Sequence, residues 1–433
     1  MTLDGKSLIK KLIRLGKVTT IKDVPQLTYA LFPGTHCPLM GAALAVEGIS
    51  DSLIVVVGTD ECAYYTKAMT IGSDKFGGLS GRCISIVLDS HDVTFGSLDK
   101  VEKDFGEIVA DYKPGCVFLV TTCVVEIIGD DFDALADSLT QEYGLPVMAV
   151  HTEHFKCEDH LPGLERVITA CGSLMGKLPC DGSVNVLGQR LGIFATTELA
   201  KVLKQAGVNI GVQLPSGCTT EEIKRAGAAK VNIVVHDIAM PLAKLMQEKF
   251  QIPYVHFNRY ADPDRILAAY QKLFDFLALP LPSDIEAKHA QAKDMMQKMQ
   301  TIFRGVPYIY GNTAYAVLEI NSFMCKLGMI PELIQTNRIV EEDGQYKAEI
   351  LHHTDPYMCR AANIAPLQYV YDELHPHLYL GHEFGDRLRK KGIALVHTDA
   401  ANMMLGFECT TFLLSMLAKA VGESQQYRKE VGL

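Results

Sequence analysis

The chain has 433 residues, 48% of them hydrophobic and 21% charged, with a net charge of −10. That length allows two or three domains with an ample core. The acidic balance argues against non-specific nucleic-acid binding, and no apolar run is long enough to span a membrane. Twelve cysteines occur without a single C-x-x-C. With no export signal to suggest disulfides, this excludes the short zinc-ribbon, rubredoxin-like and thioredoxin-like motifs. Any metal site must gather its ligands from distant segments. The compartment expected from this reading is the cytoplasm, with neither nucleic acid nor membrane as a partner.

Residues 1–24 open with MTLDGKSLIKKLIRLGKV, read as a basic amphipathic helix. GTHCPLMGA at 34–42 then places Cys37 directly before Pro38. Proline suits the first helical position, where its missing N–H would be unpaired anyway. Cys37 is therefore the predicted N-cap of a helix that Gly48 stops. Free N–H groups and the macrodipole favour a thiolate there. The position suits a metal ligand, a nucleophile or a redox thiol; a small buried apolar cysteine fits it too.

SLIVVVGT (52–59) is a continuous apolar run of the buried parallel-strand type, and CISIVLDS, CVFLVTT and PVMAVHT follow at βα spacing. A second series contains VNVLGQ, VNIGVQLP, VNIVVHD and PYVHFN, and a third VPYIYGN, PELIQTN, KAEILHH, HLYLGHE and IALVHTD. Strands alternating with helices imply parallel sheets covered on both faces. The expected architecture is α/β, with three doubly wound Rossmann-like domains over 25–180, 181–280 and 300–433. A linker helix is expected at 281–299.

Ligands of open α/β sheets gather at the carboxyl ends of strands. Cys62 lies just past the strand SLIVVVGT, and Cys123 just past CVFLVTT. With Cys37 at a helix start, three thiols can converge on one edge, whereas Cys83 and Cys116 begin strands at the opposite edge. Glu126, Gly129 and Asp130 are expected to shape the helix entry beside Cys123, with Asp130 as the cap. His154 is a supplementary candidate near the same edge. Thr219-Thr220-Glu221-Glu222 reads as a capping box. His352, His353, Asp355 and Cys359, then His382 and Glu383, then His397 and Asp399, are read at strand ends opening on an interdomain cleft. There they could donate protons to a reduced substrate, or simply form turns and caps. CGSLMGKLP (171–179) is not a phosphate loop: its first glycine is misplaced and Leu178 follows Lys177 where a hydroxyl must meet Mg²⁺.

Together, C-P-L-M-G-A at 37–42, G-T-D-E-C-A-Y-Y at 58–65 and T-T-C-V-V-E-I-I-G-D-D at 121–131 resemble nitrogenase component 1 proteins. The third stretch, with H-T-E-H-F at 151–155, is similar to the β-subunit of the molybdenum–iron protein. The order and spacing of the cysteines also resemble light-independent protochlorophyllide reductase. The resemblance implies that Cys37, Cys62 and Cys123 are iron–sulfur ligands at an interface between two related chains. Either a [4Fe–4S] cluster takes a fourth ligand from the partner, or an [8Fe–7S] cluster takes six cysteines from two chains. It implies a homodimer, or a heterodimer or heterotetramer with a related subunit. It also implies an ATP-dependent iron protein that supplies electrons for a substrate or second metallocofactor in the cleft. The family's α-subunits hold their large cofactor with one cysteine and one histidine. Here those places read VVHDIAMP, with Asp237, and MMLGFECTTF, with Leu405, so neither ligand is evident. The expected function is a nitrogenase-like iron–sulfur oxidoreductase subunit. The alternatives are a non-catalytic scaffold for metallocluster assembly and a tetrapyrrole reductase subunit.

Overall fold

The computed structural model describes residues 4–27, 36–71, 79, 81–157, 159–190, 192–257, 260–311, 317–360 and 364–433; Gly34 and Thr35 of the first cysteine motif lie outside them. The N-terminal stretch differs from expectation. Among its described residues it is α-helical only over Gly5–Ile9; a strand, β1 (Ile13–Arg14), then joins the third sheet antiparallel at its edge, followed by 3-10 turns at Leu15–Lys17 and Ile21–Asp23. Long-range contacts decide this. Leu15 N–H donates to the Pro356 carbonyl, Gly16 N–H donates to Asp355 at 2.8 Å, and the Arg14 guanidinium lies 3.6 Å over the Tyr357 ring.

Three parallel sheets follow. The first contains β2 (Ser52–Gly58), β3 (Cys83–Val87), β4 (Cys116–Thr121) and β5 (Val147–Val150), in the order β3-β2-β4-β5. β2 and β4 are buried along their whole length, as continuous apolar runs require. The second contains β6 (Val184–Leu187), β7 (Ile210–Leu214), β8 (Val231–Val234) and β9 (Tyr254–His256), in the order β7-β6-β8-β9. In the third, β10 (Pro307–Tyr310), β11 (Ile330–Gln335), β12 (Tyr357–Cys359), β13 (Leu378–Leu380) and β14 (Ala394–Val396) are ordered β1-β12-β11-β10-β13-β14. Strand order reverses between β2 and β4, between β6 and β8, and between β10 and β13. Doubly wound folds open a crevice at the carboxyl end of such a reversal.

KAEILHH is not a strand. It belongs to the helix Asp343–His353, which buries Tyr346 and Ile350 at i and i+4, and the strand is the following Tyr357–Cys359. His352 and His353 consequently sit exposed at the end of the helix that leads into β12, at the sheet's amino edge and not at the cleft. The helix Ser283–Phe303 packs along the C-terminal helix Phe407–Val431. Among the described residues no helix is long and apolar enough to cross a membrane.

One contact in particular positions the first motif. The helix Pro38–Glu47 packs against the helix Leu161–Ala170 through two glycines. A Cβ on Gly41 would lie 1.8 Å from the His160 carbonyl oxygen, and one on Gly163 would lie 1.8 Å from that of Pro38. Only glycine permits this approach, and it brings the N-terminus carrying Cys37 against His160.

Candidate metal centre

Cys37 is the N-cap of the helix Pro38–Glu47, with proline at its first turn and Gly48 at its end, as the sequence predicts. Cys62 lies in the first turn of the helix Asp60–Ile71, entered from β2. Cys123 is the first residue of the helix Cys123–Ile128, entered from β4. Cys62 and Cys123 therefore leave the two strands that flank the first sheet's reversal point. A Cβ at Gly58, the last residue of β2, would lie 2.1 Å from Thr122 Oγ1, so glycine lets the two strand ends close on each other. The Thr122 hydroxyl is buried there without a hydrogen-bond partner.

All three cysteines are half-buried and none is in a disulfide. Burial raises the Cys62 thiol, the Thr59 side chain opposes this, and the charges of Cys123 and Cys37 raise it further. Cys37 and Cys123 thus both lie within electrostatic reach of Cys62. The Cys123 sulfur accepts the His154 N–H at 3.3 Å. Among the described residues, no three His, Cys, Asp or Glu side chains close on a point as a single ion requires. The donor set is three soft thiols spread along one edge, with an orphaned hydroxyl beside them. It fits a sulfur-rich group of several metals better than one ion.

Two polar groups flank the thiols; of their members the sequence reading singled out Glu126 alone, and the contacts of both groups were missed. On the Cys37 side, His36 Nδ1 lies 2.7 Å from the Tyr65 hydroxyl, and the His36 and His160 rings meet edge-on at 6.2 Å. Burial, then the charges of Arg190 and His36, push His160 down to about 4, so it is neutral at pH 7. On the Cys123 side, His151 bridges Glu126 and Asp133, and Arg166 grips Glu153 with both arms at 2.7 and 3.1 Å. For the group beside Cys37 the sequence signal was adjacency: His36 precedes Cys37, and Tyr65 lies one turn beyond Cys62 on its helix.

Asp130 is not the helix cap. Asp131 caps the helix Phe132–Tyr143 by accepting the Ala134 N–H at 2.9 Å, whereas Asp130 accepts the Ser97 N–H and hydroxyl at 2.6 and 2.7 Å. The capping box at Thr219 and Glu222 forms as read. His382 and His397 do meet at the third sheet's carboxyl edge. His382 Nε2 lies 3.0 Å from Asp399, and the two rings lie 6.0 Å apart, all three residues being exposed. Glu383 turns instead toward Gln368 and Tyr371, and burial raises its carboxyl. Cys359 is wholly buried at the end of β12.

At the carboxyl ends of β8 and β9 Asp237 lies 2.9 Å from His256 Nε2. Burial would raise Asp237, but the hydrogen bond and charge of His256, with His236 and Arg338, hold it below the usual carboxylate range. A carboxylate–imidazole pair stands there. Leu405 is buried in the core that covers the second sheet.

Three sheets, each with a strand-order reversal, and three half-buried thiols at the carboxyl edge of the first define the class of fold and the candidate site. The chain matches the family described as "Nitrogenase component 1 type Oxidoreductase" over residues 37–422, and it belongs to that family. It is 31% identical over 232 residues to the "Nitrogenase iron-molybdenum cofactor biosynthesis protein NifE" of Clostridium pasteurianum, a match covering 53% of this chain and 51% of that protein. To the protein of the same name in Rippkaea orientalis it is 27% identical over 328 residues, covering 73% and 69%. To the "Nitrogenase molybdenum-iron protein alpha chain" of Methanosarcina barkeri it is 24% identical over 322 residues, covering 68% and 58%. The chain thus spans from about half to about two-thirds of these relatives' length. The solved structure "Nitrogenase Cp1 at pH 6.5" shares the fold, with a TM-score of 0.75 at 15% identity over 92% of this chain and 94% of that one.

Proposed function

We propose that this chain is an iron–sulfur subunit of the nitrogenase component 1 type. In this reading Cys37, Cys62 and Cys123 hold a cluster at an interface with a related chain. Electrons arrive from an ATP-hydrolysing iron protein and pass on to a substrate or second metallocofactor in the interdomain cleft. The observation that carries this reading is the placement of three half-buried thiols at helix starts, with Cys62 and Cys123 leaving the carboxyl ends of β2 and β4 at the first sheet's reversal point. The family is one of metal–sulfur proteins that assemble with related subunits, which supports it.

An iron–sulfur cluster supplies one-electron transfer at low potential when bound. The chain's own part is to present thiolates and to place the His154 N–H on the Cys123 sulfur. Three thiols leave a four-ligand cubane one short, so a [4Fe–4S] cluster takes its fourth ligand from the partner. An [8Fe–7S] cluster takes six cysteines from two chains. Lys177 is followed by Leu178, not by a hydroxyl that could meet Mg²⁺, so ATP hydrolysis falls to a separate protein. Anaerobic purification, with iron and sulfide counted per chain and mass measured by light scattering, tests this. An oligomer with bound iron is expected; a clean monomer with an intact cluster refutes the shared site.

A second reading is a scaffold that holds a maturing metallocluster and turns over nothing. It is favoured by the relatives named for cofactor biosynthesis and by Asp237, paired with His256, at the place where the family resemblance puts the α-subunits' cysteine ligand. Steady electron consumption with iron protein and ATP supports the relay; its absence in a cluster-replete protein supports the scaffold.

A further inference from the structure

Cys123 opens its helix, and Glu126 lies one turn along it. The Glu126 carboxylate accepts the Thr121 hydroxyl and lies 2.7 Å from His151 Nδ1, just past the end of β5. His151 Nε2 lies 3.3 Å from Asp133 on the next helix. A neutral imidazole carries one N–H and can serve one carboxylate. With a carboxylate on each ring nitrogen, both nitrogens must donate, and the ring is then an imidazolium. Burial alone would lower the titration point of His151, but the hydrogen bonds and charges of Glu126 and Asp133 outweigh it and raise it.

The loop that carries His151 is clamped along its length. Arg166 donates to the His151 carbonyl at 2.5 Å and pairs with Glu153, which Lys156 also approaches at 3.5 Å. The Thr152 hydroxyl donates to the Thr121 carbonyl at 2.5 Å. At the far end of the same loop the His154 N–H reaches the Cys123 sulfur. One loop therefore holds the Cys123 helix at two points, by the His151–Glu126 bridge and by the N–H···S bond. The charged groups around His151 are Glu126 from the Cys123 helix and Asp133 from the helix Phe132–Tyr143. Arg166, from the helix Leu161–Ala170, and Glu153 and His154 of its own loop complete them.

We propose that His151 is a positioning residue for the cluster: by bridging Glu126 and Asp133 it locks the Cys123 helix onto the loop 151–154 and couples the cluster's reduction potential to pH. This rests on the reading that Cys37, Cys62 and Cys123 hold a cluster. Hydrogen bonds to cluster sulfurs and nearby charge set such potentials. One electron entering from an external reductant adds negative charge at Cys123 and favours the imidazolium further; where the pH lies above the oxidised protein's titration point, the neutral His151 ring takes up one proton from water as that electron enters. Oxidation releases both.

The test is a dithionite titration of the anaerobically purified protein, followed by electron paramagnetic resonance from about pH 6 to about pH 9, a window that brackets histidine titration. In the unaltered protein the midpoint potential should fall as pH rises. In His151→Gln, and independently in Glu126→Gln, it should be flat with iron content retained. A flat profile in the unaltered protein, or an unchanged slope in His151→Gln, overturns the proposal. Nuclear magnetic resonance of histidine-labelled whole chain without cluster supplies a separate readout. His151 should titrate above an ordinary histidine and return toward it in Glu126→Gln; an ordinary titration in the unaltered chain overturns the bridge. A chain in which His151 titrates high but no iron binds overturns the cluster reading and leaves the bridge standing.

Discussion

Cys37, Cys62 and Cys123 sit half-buried at the carboxyl edge of the first sheet, whereas Cys116, Cys171 and Cys218 are buried where the first and second domains meet. Each set has a thiol on which the charges of the other two bear, Cys62 in the first and Cys171 in the second. Burial pushes Cys116 up to about 11 even though the Thr220 hydroxyl donates to its sulfur at 3.3 Å. It pushes Cys218 up to about 12 and Cys171 well above the ordinary range. These three remain protonated at pH 7 and behave as small apolar residues. The strand β4 begins with a member of one set and leads straight into a member of the other. Proximity of thiols is therefore not what marks a site. The marks are the carboxyl edge at a strand reversal, helix N-termini and access.

The contrast breaks most sharply with iron. Cys37→Ser, Cys62→Ser and Cys123→Ser should each remove most bound iron from anaerobically purified protein, while Cys116→Ala, Cys171→Ala and Cys218→Ala should leave it unchanged. The buried replacements should instead cost stability, on the order of 1–2 kcal/mol each in chemical denaturation, because they leave small cavities. Full iron in all three edge variants would end the assignment.

Next in size is the glycine that closes the two strand ends. Gly58→Ala forces its Cβ against Thr122 Oγ1 at 2.1 Å, so it should lose roughly 1–3 kcal/mol by overpacking and some iron with it. Gly176→Ala, with open space around it, should lose neither. Equal denaturation midpoints for the two variants would show that the closure is unimportant.

Alkylation sharpens the contrast kinetically. In cluster-free chain at mildly alkaline pH, iodoacetamide should modify Cys37, Cys62 and Cys123 before Cys116, Cys171 and Cys218, as read by peptide mass spectrometry. Buried thiols with raised titration points react slowly. Labelling of the two sets at one rate would contradict the difference in environment.

The smallest effect is the pH dependence of the His151 bridge. Its folded titration point is raised above 6.5, so its contribution is fully present below that value and disappears as pH rises through the folded value. The stability difference between the unaltered protein and His151→Gln should shrink over that window. A difference independent of pH would mean that the bridge carries no charge.

The alternation of apolar runs and helices was legible because a fully buried parallel strand must be apolar on both faces. SLIVVVGT and CVFLVTT therefore stood out without any knowledge of their neighbours. KAEILHH misled for the same reason: over so short a stretch its apolar residues fit a period of two. The helix becomes visible only when Tyr346 is added to Ile350, both of them buried. Asp130 and Asp131 were indistinguishable as caps, and Ser97, arriving from a distant turn, selected one of them for another task.

The sequence by itself determined the α/β class, the thiols at strand ends and the Cys37–Pro38 helix start. These follow from short-range physics: side-chain period, the missing proline N–H and the residues that follow a strand. Only the tertiary structure decided that Ile13–Arg14 pairs with β12, that His36 meets Tyr65, and that His151 reaches both Glu126 and Asp133. Each of those depends on which distant segment lands alongside, and the packing of sheets and helices sets that, not the local chain.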